Sequence, residues 1–391
     1  MSRETALKKL NIKPDNKLIL CLDGGGIRGI LTLQLLKKLE EIGGIPCYEL
    51  FDMVAGTSTG GIIAGLIASG KDAKQIEDLY IKLVTKVFKK RSWQASRFLY
   101  PPLYDKVNYR IALDALVGNA TLMEVCNVNR IDLLITSKDV AAGEETFFTC
   151  FREYEGNFSG TYKDVLLKAV MEATMSAPTY FTPLERFVDG GTTTYNNPTL
   201  GAIMEAVHYG PSKKYQLDKL TVFSFGTGTT VQLKSPDEVT NPKGLDIAFW
   251  LKYIMAETGQ DASEMQVDII RDVIKPLGKT DFRRFQISID TTALHKLDNR
   301  NISSIPHVEA DWLYDLKDED LKGIDLDDVE KFSLMQEIGA AMVDYIMTKG
   351  KAFTEDLVDN SGRDALVTAF GDVKRIKQQM SDPQWLNKFV S

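Results

Sequence analysis

The 391-residue chain holds only three histidines and four cysteines. The cysteines, Cys21, Cys47, Cys126 and Cys150, show none of the short paired spacings that make zinc sites or redox dithiols. Free, buried thiols in a reducing compartment are the expectation. No stretch approaches the roughly 18 consecutive apolar residues that span a bilayer. The segment from Met1 to Lys17 is polar and charged and lacks the apolar core of a signal peptide. These absences predict a cytoplasmic protein that touches membrane only peripherally, at the inner face. A surplus of cations is missing as well. The net charge of −7 argues against a nucleic-acid partner, because neutralising phosphates needs excess Lys and Arg on one face. The acidic stretch from Asp311 to Glu330 lacks the spacing of a calcium loop, and no metal or cofactor is expected.

What the chain does have is apolar residue in quantity, 44%, enough for a sizeable core. Lys17 to Leu22 (KLILCL) reads as a strand. It runs into Asp23-Gly24-Gly25-Gly26 and then into apolar positions at helical spacing from Ile30 to Leu39. The pattern repeats from Leu50 to Ala55, through Gly56-Thr57-Ser58-Thr59-Gly60-Gly61, into Ile62 to Ala68. Two strand-turn-helix units in succession predict an α/β architecture with a central, mostly parallel sheet. Further strands are expected at Asp132–Ser137, Glu145–Cys150, Arg186–Val188, Leu220–Phe225 and Arg284–Ile289. Helices are expected at Ile76–Phe88, Tyr162–Ser176 and Leu200–His208. The organisation read from this is a polar N-terminal segment over 1–16, a main domain over 17–347 and a helical C-terminal extension over 348–391.

Gly56-Thr57-Ser58-Thr59-Gly60 has G-x-S-x-G spacing between a strand and a helix. A serine in so tight a turn takes strained angles that push its hydroxyl clear of the sheet, and Gly56 and Gly60 let the chain pass closely. The positive end of the following helix favours an alkoxide there. Gly24, Gly26 and Gly29 also satisfy G-x-G-x-x-G, which on its own suits a dinucleotide. Yet the second strand ends in the serine turn and not in a ribose-binding acid. Bare amides of consecutive glycines serve equally as an oxyanion hole, each donor being worth roughly 3 kcal/mol. Of the histidines, His208 ends a predicted helix, and His295 and His307 fall in polar sequence. Asp189 ends a short apolar strand and is followed by Gly190-Gly191, which leaves its carboxylate unobstructed. A desolvated carboxylate can take the serine proton directly.

Asp23-Gly24-Gly25-Gly26-Ile27-Arg28-Gly29, Gly56-Thr57-Ser58-Thr59-Gly60-Gly61 and Asp189-Gly190-Gly191 together resemble the patatin-like lipid acyl hydrolases, in the same order. Secondary similarities lie at Ser176-Ala177-Pro178, Asn196-Asn197-Pro198, Phe225-Gly226-Thr227-Gly228 and Phe282-Arg283-Arg284-Phe285. The resemblance implies a three-layer α/β/α sandwich and hydrolysis of phospholipid or lysophospholipid esters through an acyl-enzyme. It implies Ser58 as nucleophile and Asp189 as its partner. The oxyanion would be held around Gly24, Gly25 and Gly26, with Arg28 steadying that loop or the lipid head group. Some bacterial members of similar length are membrane-degrading effectors switched on by a cyclic nucleotide, a gating that no motif here identifies. Basic and aromatic residues between 82 and 104, among them Lys89, Lys90, Arg91 and Trp93, suit an anionic membrane surface or, equally, a solvated face over a core. Two other functions stay open: a nucleotide- or phosphate-binding regulatory protein on the same scaffold, and an esterase using His208.

Overall fold

The computed structural model describes residues 1–87, 102–149, 151, 162–210, 214–230, 247–297, 316–321, 324, 327–349, 352–359 and 373–386. Eight strands form one sheet: β1 (Lys17–Leu22), β2 (Met53–Thr57), β3 (Asp132–Asp139), β4 (Glu144–Thr149), β5 (Phe187–Asp189), β6 (Leu220–Phe225), β7 (Asp281–Ile287) and β8 (Leu357–Asp359). Their order is β4-β3-β2-β1-β6-β7-β8, with β5 paired to β3. Only β4 and β5 run antiparallel to their neighbour. The helices named below are α1 (Arg3–Lys9), α2 (Gly29–Gly43), α3 (Cys47–Leu50), α4 (Thr59–Ala68), α5 (Ala73–Val87), α6 (Val107–Val117), α7 (Leu122–Asn129), α8 (Leu167–Thr174) and α9 (Thr199–Tyr209).

Alternation along β1 explains the layering. Leu18, Leu20 and Leu22 face one core, shared with α2, α4, α5 and α8, while Ile19 and Cys21 face a second, shared with α9 and the end of the helix Ile247–Ile269. Both faces of the central strands are therefore covered, as parallel sheets require. The expected α/β/α sandwich is what forms.

Segments near both ends of the described chain contribute to this body. Helix α1 buries Ala6 and Leu7 in the first core, beside Leu10 and Ile12. Downstream of 347, Phe353 is fully buried against Phe225 and Phe285, and β8 pairs with β7 from Phe285↔Leu357 to Ile287↔Asp359. Residues on the far side of the positions expected as boundaries, 16 and 347, therefore contribute to the first core and to the sheet. A three-residue edge strand carries too little pattern to be read ahead of time. The cysteines also need a correction. Cys21 and Cys47 are buried free thiols, but Cys126 is disulfide-bonded, a link that no short spacing in the sequence announces.

Two features of the sheet set up a site. Strand order reverses direction at β1, since β2 and β3 lie to one side of it and β6 and β7 to the other. In α/β sheets the crevice at the carboxyl ends of strands around such a point receives ligands. Second, β3 runs past the end of β2. Thr57 pairs with Thr136, and the next position, Ser137, pairs with Asp189. As β4 occupies the other edge of β3 there, β5 sits directly beyond β2.

Candidate active site

That register brings Ser58 and Asp189 together, although 131 positions separate them in the chain. Ser58 Oγ donates to Asp189 Oδ2 at 2.7 Å. The turn from β2 into α4 holds Ser58 at φ 52°, ψ −122°, a region costly to a residue with a Cβ and stored at functional turns. Close contact around the turn explains its glycines: a Cβ on Gly56 would sit 2.2 Å from the Gly60 carbonyl oxygen, and one on Gly60 2.3 Å from that of Leu22. The Ser58 N–H donates to Thr174 Oγ1 at 2.8 Å, and Met175 Sδ lies 3.7 Å from the hydroxyl.

Asp189 is 4% exposed. Burial pushes its carboxyl up to about 7, against the lowering effect of hydrogen bonds from the Ser58 hydroxyl and the Gly191 N–H. The Gly191 N–H occupies Oδ1 at 2.7 Å, which leaves Oδ2 aimed at the serine. A carboxylate near neutrality is a competent base at physiological pH.

The glycine loop after β1 is braced at almost every polar atom. The Asp23 N–H donates to the Phe225 carbonyl, and the Gly24 N–H to that of Asn196 at 3.1 Å. The Gly24 carbonyl accepts from Thr227 Oγ1 at 2.9 Å. The Gly25 carbonyl takes the Arg28 N–H, and the Gly26 carbonyl takes the Tyr80 hydroxyl. The Arg28 side chain reaches Gly25 and Gly228 carbonyls at 3.4 and 3.3 Å. Beneath the loop, Arg284 grips Asp23 with two bonds of 2.8 and 2.5 Å and donates to Ser224 Oγ at 2.8 Å, both charged residues being 3% exposed or less. Of the three glycine amides singled out from sequence, Gly24's is thereby committed to Asn196. Among the described residues, no loop or side-chain hydrogen bond engages those of Gly25 and Gly26. Arg28 acts as a strap on the loop.

His208 sits exposed at the far end of α9, against Tyr209. Nine residues of helix place it about 13 Å along the axis from Thr199. Among the described residues Ser58 has no histidine hydrogen-bond partner. His307 and residues 88–101, which hold most of the basic aromatic stretch, lie outside the described residues. Of that stretch, Lys82 and Lys86 are exposed on α5, while Tyr104 is buried, bonded to the Asp327 carboxylate and packed on Tyr180 and Phe181. Tyr104 is thus a core residue and not a membrane-facing one. No helix among the described residues is long and apolar enough to cross a membrane, and no group of three or more His, Cys, Asp or Glu residues there is arranged to hold a metal ion.

Sequence reasoning did not foresee the parts played by Thr174, Tyr80, Asp23 and Arg284. Phe282-Arg283-Arg284-Phe285 gave a signal in hindsight, since two arginines between apolar residues at the start of an expected strand demand buried partners.

Architecturally this is a strained serine turn between a strand and a helix of a mostly parallel α/β sheet, with an aspartate hydrogen-bonded to the serine. Residues 20–203, a little under half of the chain, match the family model described as Patatin-like phospholipase. It is 51% identical over 74 residues to the cUMP-AMP-activated phospholipase of Escherichia coli, covering 19% of this chain and 23% of that protein. It is 31% identical over 175 residues to the cGAMP-activated phospholipase of Vibrio cholerae, covering 41% of this chain and 48% of that one. The chain therefore matches less than half the length of these relatives. Among solved structures, human GIVD cytosolic phospholipase A2 in complex with methyl gamma-linolenyl fluorophosphonate superposes with a TM-score of 0.44 at 11% identity, over 90% of this chain and 61% of that one.

Proposed function

We propose that the chain is a carboxylic ester hydrolase that cleaves acyl esters of phospholipids or lysophospholipids through an acyl-enzyme on Ser58, with Asp189 as general base. The 2.7 Å contact between Ser58 Oγ and a desolvated Asp189 carries this reading. In the first half-reaction Asp189 takes the Ser58 proton as Oγ bonds to the ester carbonyl carbon. The carbonyl oxygen becomes an oxyanion facing the Gly25 and Gly26 amides. Collapse breaks the bond to the glycerol oxygen, which leaves with the proton held by Asp189. In the second, Asp189 deprotonates a water that attacks the acyl carbon, and Ser58 leaves with that proton while the fatty acid departs. The membrane is met peripherally, as substrate. Replacing Ser58 by Ala or Asp189 by Asn is expected to lower fatty-acid release by 10³-fold or more, on the order seen for loss of a nucleophile or base. Mass spectrometry of free fatty acid from mixed phospholipid checks this, and retained release in either variant would overturn the dyad.

The names of the two relatives support a second level. A cyclic dinucleotide is proposed to switch the activity of this chain on, and the expected result is fatty-acid release that appears only when the correct dinucleotide is added.

A further inference from the structure

The last turn of α8 and the residues just beyond it touch both members of the dyad. Thr174 Oγ1 accepts the Ser58 N–H at 2.8 Å, Met175 Sδ lies 3.7 Å from the Ser58 hydroxyl, and the Ser176 carbonyl accepts the Asp189 N–H at 3.1 Å. Ser58 and Asp189 are thus fixed to one three-residue segment. A buried lysine fixes that segment in turn. Lys106, at the start of α6 and 7% exposed, donates to Ser176 Oγ at 2.8 Å and to Glu172 Oε1 at 3.1 Å. Ser176 Oγ itself donates to the Glu172 carbonyl at 2.6 Å. A lysine is seldom buried so deeply unless it is paired, and this one closes a ring around the segment without touching either catalytic side chain. Glu172 does not depend on it, because Arg110 holds the same carboxylate with two bonds of 2.8 and 2.7 Å. Nor does the packing of α6 on α8 depend on it, since Tyr109 separately donates to the Met171 carbonyl at 2.8 Å.

We propose that Lys106 is a positioning residue that, through Ser176, sets the Ser58 and Asp189 side chains at proton-transfer distance. The inference rests on the ester-hydrolase reading above and gives Ser176-Ala177-Pro178 a purpose: its serine is the point where the lysine meets the dyad. Displacing a reacting group by about 1 Å costs on the order of 10² in rate, and slack at the segment acts on that distance.

The test compares wild-type protein with Lys106→Met and Ser176→Ala, each with the dinucleotide that supports activity where one is needed. Phosphatidylethanolamine–phosphatidylglycerol vesicles serve as substrate, and Ser58 is titrated with an alkyl fluorophosphonate so that rates are counted per reactive serine. Lys106→Met is expected to lower kcat per titrated serine by on the order of 10²-fold with KM little changed. The acidic limb of its pH profile is expected to move to higher pH, because a weakened Ser58 hydrogen bond no longer favours the ionised carboxylate. Ser176→Ala is expected to move both quantities in the same direction by less, and it decides the matter if Lys106→Met does not fold. A purely structural lysine would lower the number of titrated serines and leave kcat per serine and the pH midpoint at wild-type values. That outcome overturns the proposal. Wild-type protein that neither reacts with fluorophosphonate nor releases fatty acid would instead overturn the hydrolase reading, and the positioning role with it.

Discussion

The base role proposed for Asp189 requires a carboxylate dry enough to hold a proton near neutrality and still anchored in one orientation. Burial meets the first need and the Gly191 N–H the second. Activity is expected to follow the ionised form: kcat/KM should rise as pH increases, with an acidic midpoint near the carboxyl's value of about 7. A pH–rate profile on a soluble short-chain ester checks this, and a midpoint near 4 would mean that an ordinary solvated carboxylate is at work. The same shift has a stability consequence. Folding raises this carboxyl from 3.8 to about 7, so between those values the native state holds a proton that the unfolded chain has released. Its destabilising effect is absent below the unfolded value, grows as pH rises, and reaches at most about 4 kcal/mol above the folded one. Asp189→Asn should therefore be inactive yet more stable than wild type at pH 8, with the gain shrinking toward pH 4. Denaturant titrations at the two pH values measure it. Much of this residue's placement was legible, because a strand-ending Asp followed by two glycines advertises an unobstructed carboxylate. Its dryness was not, since that comes from elements brought over it only by the fold.

Among the elements, the glycine loop shows how densely a short turn can be braced. Asp23 and Arg284 form a buried ion pair beneath it, and removing one partner of such a pair strands the other charge. Arg284→Met is expected to cost about 3–5 kcal/mol, and an unchanged denaturation midpoint would show that the pair contributes nothing. Tyr80→Phe removes only the hydroxyl that holds the Gly26 carbonyl. It should lower kcat without a matching change in KM, because the loop's amides matter most when charge develops on the oxyanion. At the elbow, Gly60→Ala would drive a Cβ against the Leu22 and Asp23 carbonyl oxygens, at a cost of about 3 kcal/mol or more. The elbow and the loop were readable because glycine spacing between a strand and a helix is a local signal. Helix and strand ends shifted by a few residues: the expected strand Leu50–Ala55 forms as β2 (Met53–Thr57) after α3, and the expected helix Tyr162–Ser176 narrows to α8 (Leu167–Thr174). What no local signal contained was the register of β3. Its pairing of Ser137 with Asp189, one position past Thr136 with Thr57, is a long-range fact, and so is the reach of Lys106 and Tyr80 into the site from other helices.

For the whole molecule, the two glycine-rich turns and β5 meet at one rim of a sheet covered on both faces, with the glycine loop at the point where strand order reverses. Among the described residues, α1 packs into the core, Phe353 is buried in it and β8 extends the sheet. Deleting residues from 348 onward is accordingly expected to expose the Phe225, Phe285 and Phe353 contact surface and to destabilise the protein, which a thermal melt of the truncated chain would register as a lower or lost transition. The central claim is that this rim hydrolyses acyl esters with Ser58 and Asp189 and without histidine. Its most direct test is fatty-acid release from mixed phospholipid vesicles, followed by mass spectrometry across a panel of cyclic dinucleotides, for wild type, Ser58→Ala, Asp189→Asn and His208→Ala. Release by wild type and His208→Ala, and by neither of the other two, is the predicted result. Release that survives in Asp189→Asn and disappears in His208→Ala would contradict it.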